Sequence, residues 1–217
     1  KYFLNLDSAV DPKNTIPFKT DYADLARLHY LIRSRKVTTI LEFGVGKSTL
    51  IFGNALNKNK ADFFSFTNKN LRRDNLYECH SVDNYYKWIQ DTKKLIPKKL
   101  LEGKFINLKF CKVKMGEFQN RVCTYYEKLP NICPDFIYLD GPDQFSPKGS
   151  VRGLSTRFKD RMPMAADILS FEHFLQPGTL IVIDGRTANA RFLKTNFQRN
   201  WYYYHDSNFD QHFFELS

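Results

Sequence analysis

Val37 to Thr49 reads VTTILEFGVGKST, a run of β-formers that ends in an acid, breaks on two glycines and continues into small hydroxyl residues. Glycine lets a strand turn straight into a helix with its backbone N–H groups close to a ligand, and the helix N-terminus favours that ligand's anionic part. The stretch predicts a nucleotide-type pocket. Two kinds of loop compete for its letters: the Gly46-Lys47-Ser48 ending suggests a phosphate loop, and Glu42-Phe43-Gly44-Val45-Gly46 suggests a shorter glycine turn.

Outward from this stretch, strands and helices alternate. Asp21 to Lys36 carries Leu25, Leu28 and Ile32 at helical spacing. Val37 to Phe43 is the first strand and Ser48 to Leu56 a helix, after which the polar stretch Asn57 to Asn75 has little periodicity and reads as an elongated connection. Leu76 to Val82 gives a second strand ending at Asp83, and Tyr85 to Leu95 a helix. Phe105 to Val113 suggests a third strand, Phe118 to Leu129 a helix, and Asp135 to Leu139 a buried strand closing at Asp140.

Gly141 to Pro163, rich in Gly, Pro, Ser and Arg, suits a substrate-facing lid. Met164 to Leu175 is a predicted helix, Thr179 to Ile183 a strand ending at Asp184, and Asn200 to His205 with Gln211 to Leu216 an antiparallel aromatic hairpin. Such alternation implies an α/β sandwich with helices on both faces of a mainly parallel sheet, whose ligands sit beyond the C-terminal strand ends. Glu42, Asp83, Asp140 and Asp184 all fall there.

The 217 residues suit one buried α/β domain over 1–217, with 1–20 as an irregular N-terminal extension. No apolar run approaches the roughly 20 residues of a membrane span, and KYFLNLDSAVDPKN at the start lacks the apolar core of a signal peptide. Cys79, Cys111, Cys123 and Cys133 stand apart, without metal-type spacing, and read as reduced thiols of a cytoplasmic protein. The net charge of +10 admits nucleic acid, an anionic lipid surface or an acidic small substrate as partner. Many of the lysines lie in Lys93 to Lys104, KKLIPKKLLEGK, which reads as a solvated helix end and loop.

A phosphate loop requires G-x-x-x-x-G-K-[ST], so that its first glycine begins the wrap of amides around the phosphates. Counting back from Gly46 places Leu41 there, inside the strand. The other reading gathers separated motifs in order. Glu42-Phe43-Gly44-Val45-Gly46 with Ser48-Thr49, Asp83-Asn84 after the second strand, Asp140-Gly141-Pro142 after the fourth and a closing hairpin at Trp201 to Leu216 together resemble the class I methyltransferases that use S-adenosylmethionine (SAM). The resemblance spans Asp21 to Leu216. It implies a Rossmann-like three-layer sandwich with a seven-stranded sheet and a C-terminal antiparallel hairpin. It also implies that Glu42, Phe43, Gly44, Val45, Gly46, Ser48 and Thr49 form the turn at SAM's methionine part, and that Asp83 and Asn84 face its ribose. Asp140, Gly141 and Pro142 would then lie beside the transferable methyl group. Asp83 follows Glu42 by 41 residues, more than the about 20 typical of dinucleotide folds, and the Asn57 to Asn75 insertion accounts for the excess.

Methyl transfer is an in-line displacement, so the protein must align acceptor and methyl, exclude water and, for a hydroxyl acceptor, remove a proton. Asp140 and Asp143 are candidate bases or orienting groups, with Asp184 and Arg186 on the opposite wall. Some related enzymes place a divalent cation on acids at these strand ends. Asp140 and Asp184 match two such ligands, but Gly185 stands where Asn or Asp is usual, which argues against metal dependence. The Asn/Asp-Pro-Pro-aromatic signature of amino methylation is absent, so O-methylation of a small molecule or a sugar or glycan leads. Arg152, Arg157, Lys159 and Arg161 in the lid suit an anionic acceptor. An RNA-directed methyltransferase or RNA-binding module and a P-loop nucleotide hydrolase stay open as alternatives, and the oligomeric state is not readable.

Overall fold

The computed structural model describes residues 21–158 and 160–217. Asp21 accepts hydrogen bonds from the Ala23 and Asp24 N–H groups and so starts α1, Tyr22–Ser34, which buries Leu25, Leu28 and Ile32. Strand β1, Thr39–Phe43, is buried at every position, as a central parallel strand covered on both faces must be. Then come α2 (Lys47–Asn70), β2 (Glu78–Asp83), α3 (Tyr86–Leu95), α4 (Lys98–Glu102) and β3 (Ile106–Phe110). A hairpin of β4 (Val113–Phe118) and β5 (Arg121–Tyr126) precedes β6 (Phe136–Leu139). The short α5 (Asp167–Phe171), β7 (Leu180–Asp184), α6 (Thr187–Asn196), β8 (Trp201–Asp206) and β9 (Gln211–Leu216) complete the order.

Seven strands form one sheet in the order β3-β2-β1-β6-β7-β9-β8. The first five are parallel, and β9 runs antiparallel to both β7 and β8. This is the mainly parallel sheet with a terminal hairpin that the sequence predicts. Side chains alternate between its faces: Ile40 joins Phe52, Phe136 and Val182 in one core, while Leu41 and Phe43 join Ile137 and Ile181 in the other. The chain leaves β1 toward β2 on one side and returns as β6 on the other, so the strand order reverses at β1. Ligand crevices form at such a switch point.

Three elements differ from the sequence reading, each for a local reason. Asn57 to Asn75, expected to be an elongated connection, is helical through Asn70 as the second half of α2. Its inward positions are polar: the buried Asn59 donates to the Ile32 and Val37 carbonyls at 3.0 and 2.8 Å, and Thr67 meets the Tyr77 hydroxyl at 2.8 Å. These satisfied polar groups interrupt the apolar period. The extra helix accounts for the long spacing between Glu42 and Asp83.

Phe118 to Leu129, expected to be a helix, contains the end of β4 and all of β5, which pair as a separate two-stranded sheet. Gln119 and Asn120 carry φ values of 48° and 62°, the left-handed pair that the favoured two-residue hairpin turn requires. Met164 to Leu175 is helical only from Asp167, because Ala165 bridges to Thr124 and Met164–Ala166 runs alongside it. The Thr124 N–H donates to the Met164 carbonyl at 3.0 Å, and the Ala166 N–H to the Thr124 carbonyl at 3.1 Å. Among the described residues no helix is long and apolar enough to cross a membrane.

Candidate active site

The turn from β1 into α2 is only Gly44, Val45 and Gly46. Leu41 lies buried within β1, so no phosphate loop fits between strand and helix. Glu42 is fully buried at the end of β1 and accepts hydrogen bonds from Ser48 Oγ (2.5 Å), Thr49 Oγ1 (2.7 Å) and Ser81 Oγ (2.5 Å). Burial pushes its carboxyl up to about 7 against the pull of those hydroxyls. Glu42, Ser48 and Thr49 therefore lock the strand to the first turn of the helix. Phe43 turns its ring into the core against Tyr126, 5.5 Å between centroids, and only its backbone faces the turn.

Gly44 has φ +101°, and a Cβ there would stand 3.3 Å from the Asp140 carbonyl carbon and the Gly141 nitrogen. Reciprocally, a Cβ on Gly141 would stand 2.8 Å from the Gly44 nitrogen and the Tyr126 hydroxyl. Two backbones thus touch where β1 and β6 end, and only glycine permits it. A Cβ on Gly46, by contrast, would meet nothing within 4 Å. The space in front of the turn is open.

Asp83, at the end of β2, crosses to this turn. Its Oδ2 accepts the Val45 N–H at 3.0 Å and its Oδ1 the Tyr85 N–H at 2.7 Å. The Asn84 N–H also interacts with this carboxylate, and an ionised carboxylate has about four lone-pair sites, so acceptor capacity remains. Burial raises its pKa to about 6, opposed by those N–H groups. Next to it, Asn84 Oδ1 accepts the Asp143 N–H at 3.4 Å, and its Nδ2 is buried without a protein partner. The β2 and β6 loops are thereby joined.

Asp140 follows β6 directly, and its neighbour across the cleft is Arg186. That guanidinium donates to the Asp140 carbonyl (2.6 Å) and the Pro142 carbonyl (3.1 Å) and lies 3.8 Å from the Asp140 carboxylate. Surrounding protein pushes the Asp140 carboxyl up to about 7; Arg186 draws it down, and Asp184 and Asp83 raise it again. With 56 % of the side chain open to solvent, water screens each of these effects. Asp184 accepts from the Tyr138 hydroxyl (2.7 Å) and Gln211 Nε2 (3.1 Å), while Asp143 accepts from the Phe145 N–H (3.0 Å) and Ser146 Oγ (2.8 Å). Asp140 presents an open carboxylate beside the Gly44–Gly141 contact.

The chain folds its predicted site residues into one cleft at the C-terminal strand ends, with unequal tasks. Asp140 and Asp184 do not form a metal-type donor set: Arg186 faces the first, and Gly185 offers no side chain to complete it. Ser81, Tyr126 and Asp167 were not legible as site residues. Tyr126 lies buried under the Gly44–Gly141 contact with its hydroxyl unpartnered, and Asp167 accepts the Tyr126 N–H at 2.9 Å. A cavity of about 640 Å³ lined by Thr39, Arg72, Arg73 and Cys133 opens at the opposite edge of the sheet, and none of the candidate residues lines it.

No protein-family model matches the chain, and no curated protein matches it. Solved structures do. A methyltransferase from Geobacter sulfurreducens is 10 % identical over 91 % of this chain and 81 % of that one, with a TM-score of 0.50. The SAH-bound methyltransferase PaMTH1 from Podospora anserina is 13 % identical over 92 % of this chain and 80 % of its own, also at 0.50. At such low identity the likeness concerns the fold. The architecture is the Rossmann-like fold of class I methyltransferases.

Proposed function

We propose that the chain is a SAM-dependent methyltransferase that methylates a hydroxyl oxygen of a small molecule or sugar, and that residues 1–217 form one such domain. The observation that carries this reading is the link from Asp83 to the Val45 N–H, which sets an acid with remaining acceptor capacity beside an open glycine turn. That is the donor-acceptor set a ribose diol and an amino-acid tail need. The SAH-bound Podospora neighbour supports the same cofactor.

In this reading SAM supplies an electrophilic methyl group, and the protein holds everything around it. Gly44, Val45 and Gly46 receive the methionine part, Asp83 and Asn84 the ribose, and Asp140, Gly141 and Pro142 line the reacting end. Glu42, Phe43, Ser48 and Thr49 are positioning residues that fix the turn. Asp140 takes the acceptor's hydroxyl proton onto its carboxylate, which is open to solvent at the reacting end and has its pKa raised above the ordinary carboxylate range. Arg186 fixes the Asp140–Pro142 backbone, while Asp143 and Asp184 orient the acceptor.

Exposed Arg152, Arg157 and Arg161 in the loop that follows Asp140–Pro142 support an acceptor carrying phosphate or carboxylate; Lys159, also expected there, lies outside the described residues. Four free cysteines, three of them buried, support a reducing compartment such as the cytoplasm.

The test is transfer of labelled methyl from SAM to a panel of hydroxylated acceptors, sugars and phosphosugars, with RNA and amines alongside. The expected outcome is transfer to a hydroxyl compound, slowed at least about 100-fold in kcat by Asp140→Asn with SAH affinity kept. Transfer only to RNA or to amines, or full activity in Asp140→Asn, would overturn the reading.

A further inference from the structure

The β8–β9 hairpin brings two histidines and an acid together outside the cofactor turn. His205 and His212 are opposite one another in the antiparallel register, so their side chains leave the same face of the hairpin. Their rings stack 3.9 Å apart and within 9° of parallel. Asp210, in the left-handed conformation at φ 49° where the turn ends, brings its Oδ1 to 3.6 Å from His205 Nε2. One donor atom from each of the three lies within 4.8 Å of the others.

We propose that His205, Asp210 and His212 bind a zinc-class divalent cation. Donors about 2.1 Å from a shared ion stand at most about 4.2 Å apart, so the set closes when the exposed His205 ring turns out of its stack on His212 and the Asp210 carboxylate swings toward it. His212 is the fixed member. It is 1 % exposed, with the Tyr203 hydroxyl 3.0 Å from Nδ1 and Thr187 Oγ1 3.0 Å from Nε2. With Nδ1–H donating to the Tyr203 oxygen, Nε2 carries the ligand lone pair, and the Thr187 hydroxyl that donates to it must rotate away to admit an ion. An imidazole held through its other nitrogen is the arrangement that orients metal-binding histidines.

Arg191 nearby opposes a cation, and the Asp210 carboxylate offsets it. Two imidazoles and one carboxylate select zinc, nickel or cobalt over magnesium or calcium.

The site shares no side chain with the Asp140–Asp184 pair. It borders that wall all the same: the Gly185 N–H donates to the Asp210 carbonyl at 2.9 Å, and Thr187 opens α6. A bound ion would stiffen the hairpin turn, which carries the β7–α6 connection through the Gly185–Asp210 backbone bond.

The experiment strips the full chain with a chelator and titrates Zn²⁺ by calorimetry, with Mg²⁺ in parallel. We expect one Zn²⁺ per chain and no saturable Mg²⁺ uptake. Affinity should fall at least tenfold in both His205→Ala and Asp210→Asn, whose metal-free melting curves match the parent because both side chains are exposed. Absent zinc saturation, zinc uptake that persists in both variants (as thiol binding would), or Mg²⁺ bound as tightly as Zn²⁺ would each overturn the proposal.

Discussion

Gly44→Ala should damage both the fold and the cofactor pocket, and the structure fixes the size of the effect. At φ +101° a side chain is strained by about 1–3 kcal/mol. The added methyl also meets the Asp140 carbonyl carbon and the Gly141 nitrogen at 3.3 Å and the Asp140 oxygen at 3.4 Å. Those are backbone atoms that cannot rotate aside, and overpacking of that kind costs about 1–3 kcal/mol more. A loss of about 2–6 kcal/mol in urea unfolding is expected.

Because relief requires the β1–α2 turn to part from the Asp140–Pro142 loop, SAH affinity measured by calorimetry should fall at least about tenfold, or about 1.4 kcal/mol. Gly46→Ser is the control. That position is extended at φ 177°, opens onto free space and caps α2, so serine should leave stability within about 0.5 kcal/mol while its side chain still weakens SAH binding. Equal stability and equal SAH affinity in Gly44→Ala and the parent would refute the reasoning.

Other perturbations separate the roles of neighbouring groups. Glu42→Ala strands three hydroxyls that now donate to one carboxylate, and should cost at least about 3 kcal/mol in the same unfolding assay. The carboxyls of Glu42 and Asp167 are raised to about 7 and that of Asp83 to about 6, all above their values near 4 in the unfolded chain. Their contribution is therefore complete below about pH 4 and is lost as pH rises through 6 to 7. Melting temperature should fall from pH 5 to pH 8, less steeply in Glu42→Gln, and an identical slope in both would contradict this. Arg186→Met releases the Asp140 and Pro142 carbonyls, so hydrogen exchange should quicken at Gly141 and in residues 143–146 while β1 keeps its protection.

Much of this site could be read because its signals are local. Apolar strands that end in acids, with glycines immediately after, are written in consecutive letters, and Glu42, Asp83, Asp140 and Asp184 all lie at the ends of their strands. What stayed hidden depends on contacts between distant segments. Ser81 sits beside Glu42 through the parallel register of β1 and β2, which no local pattern announces. Arg186 reaches carbonyls more than forty residues away, so its positioning task is invisible from the VIDGR letters alone.

The helix error at Phe118 to Leu129 concealed Tyr126. Its correction was available in Gln119-Asn120, where asparagine tolerates the left-handed turn of a hairpin. Asn59 and Thr67 misled in the opposite sense: polar letters on the inward face of a helix read as a loop until their partners on α1 and Tyr77 are known.

A structure of the chain with SAH bound tests the central claim most directly. The account predicts the ribose hydroxyls on Asp83, the amino-acid tail along Gly44 to Gly46 and the sulfur directed toward Asp140. SAH lodged instead in the cavity beside Arg72 and Cys133, or no SAH in crystals soaked at saturating concentration, would contradict it.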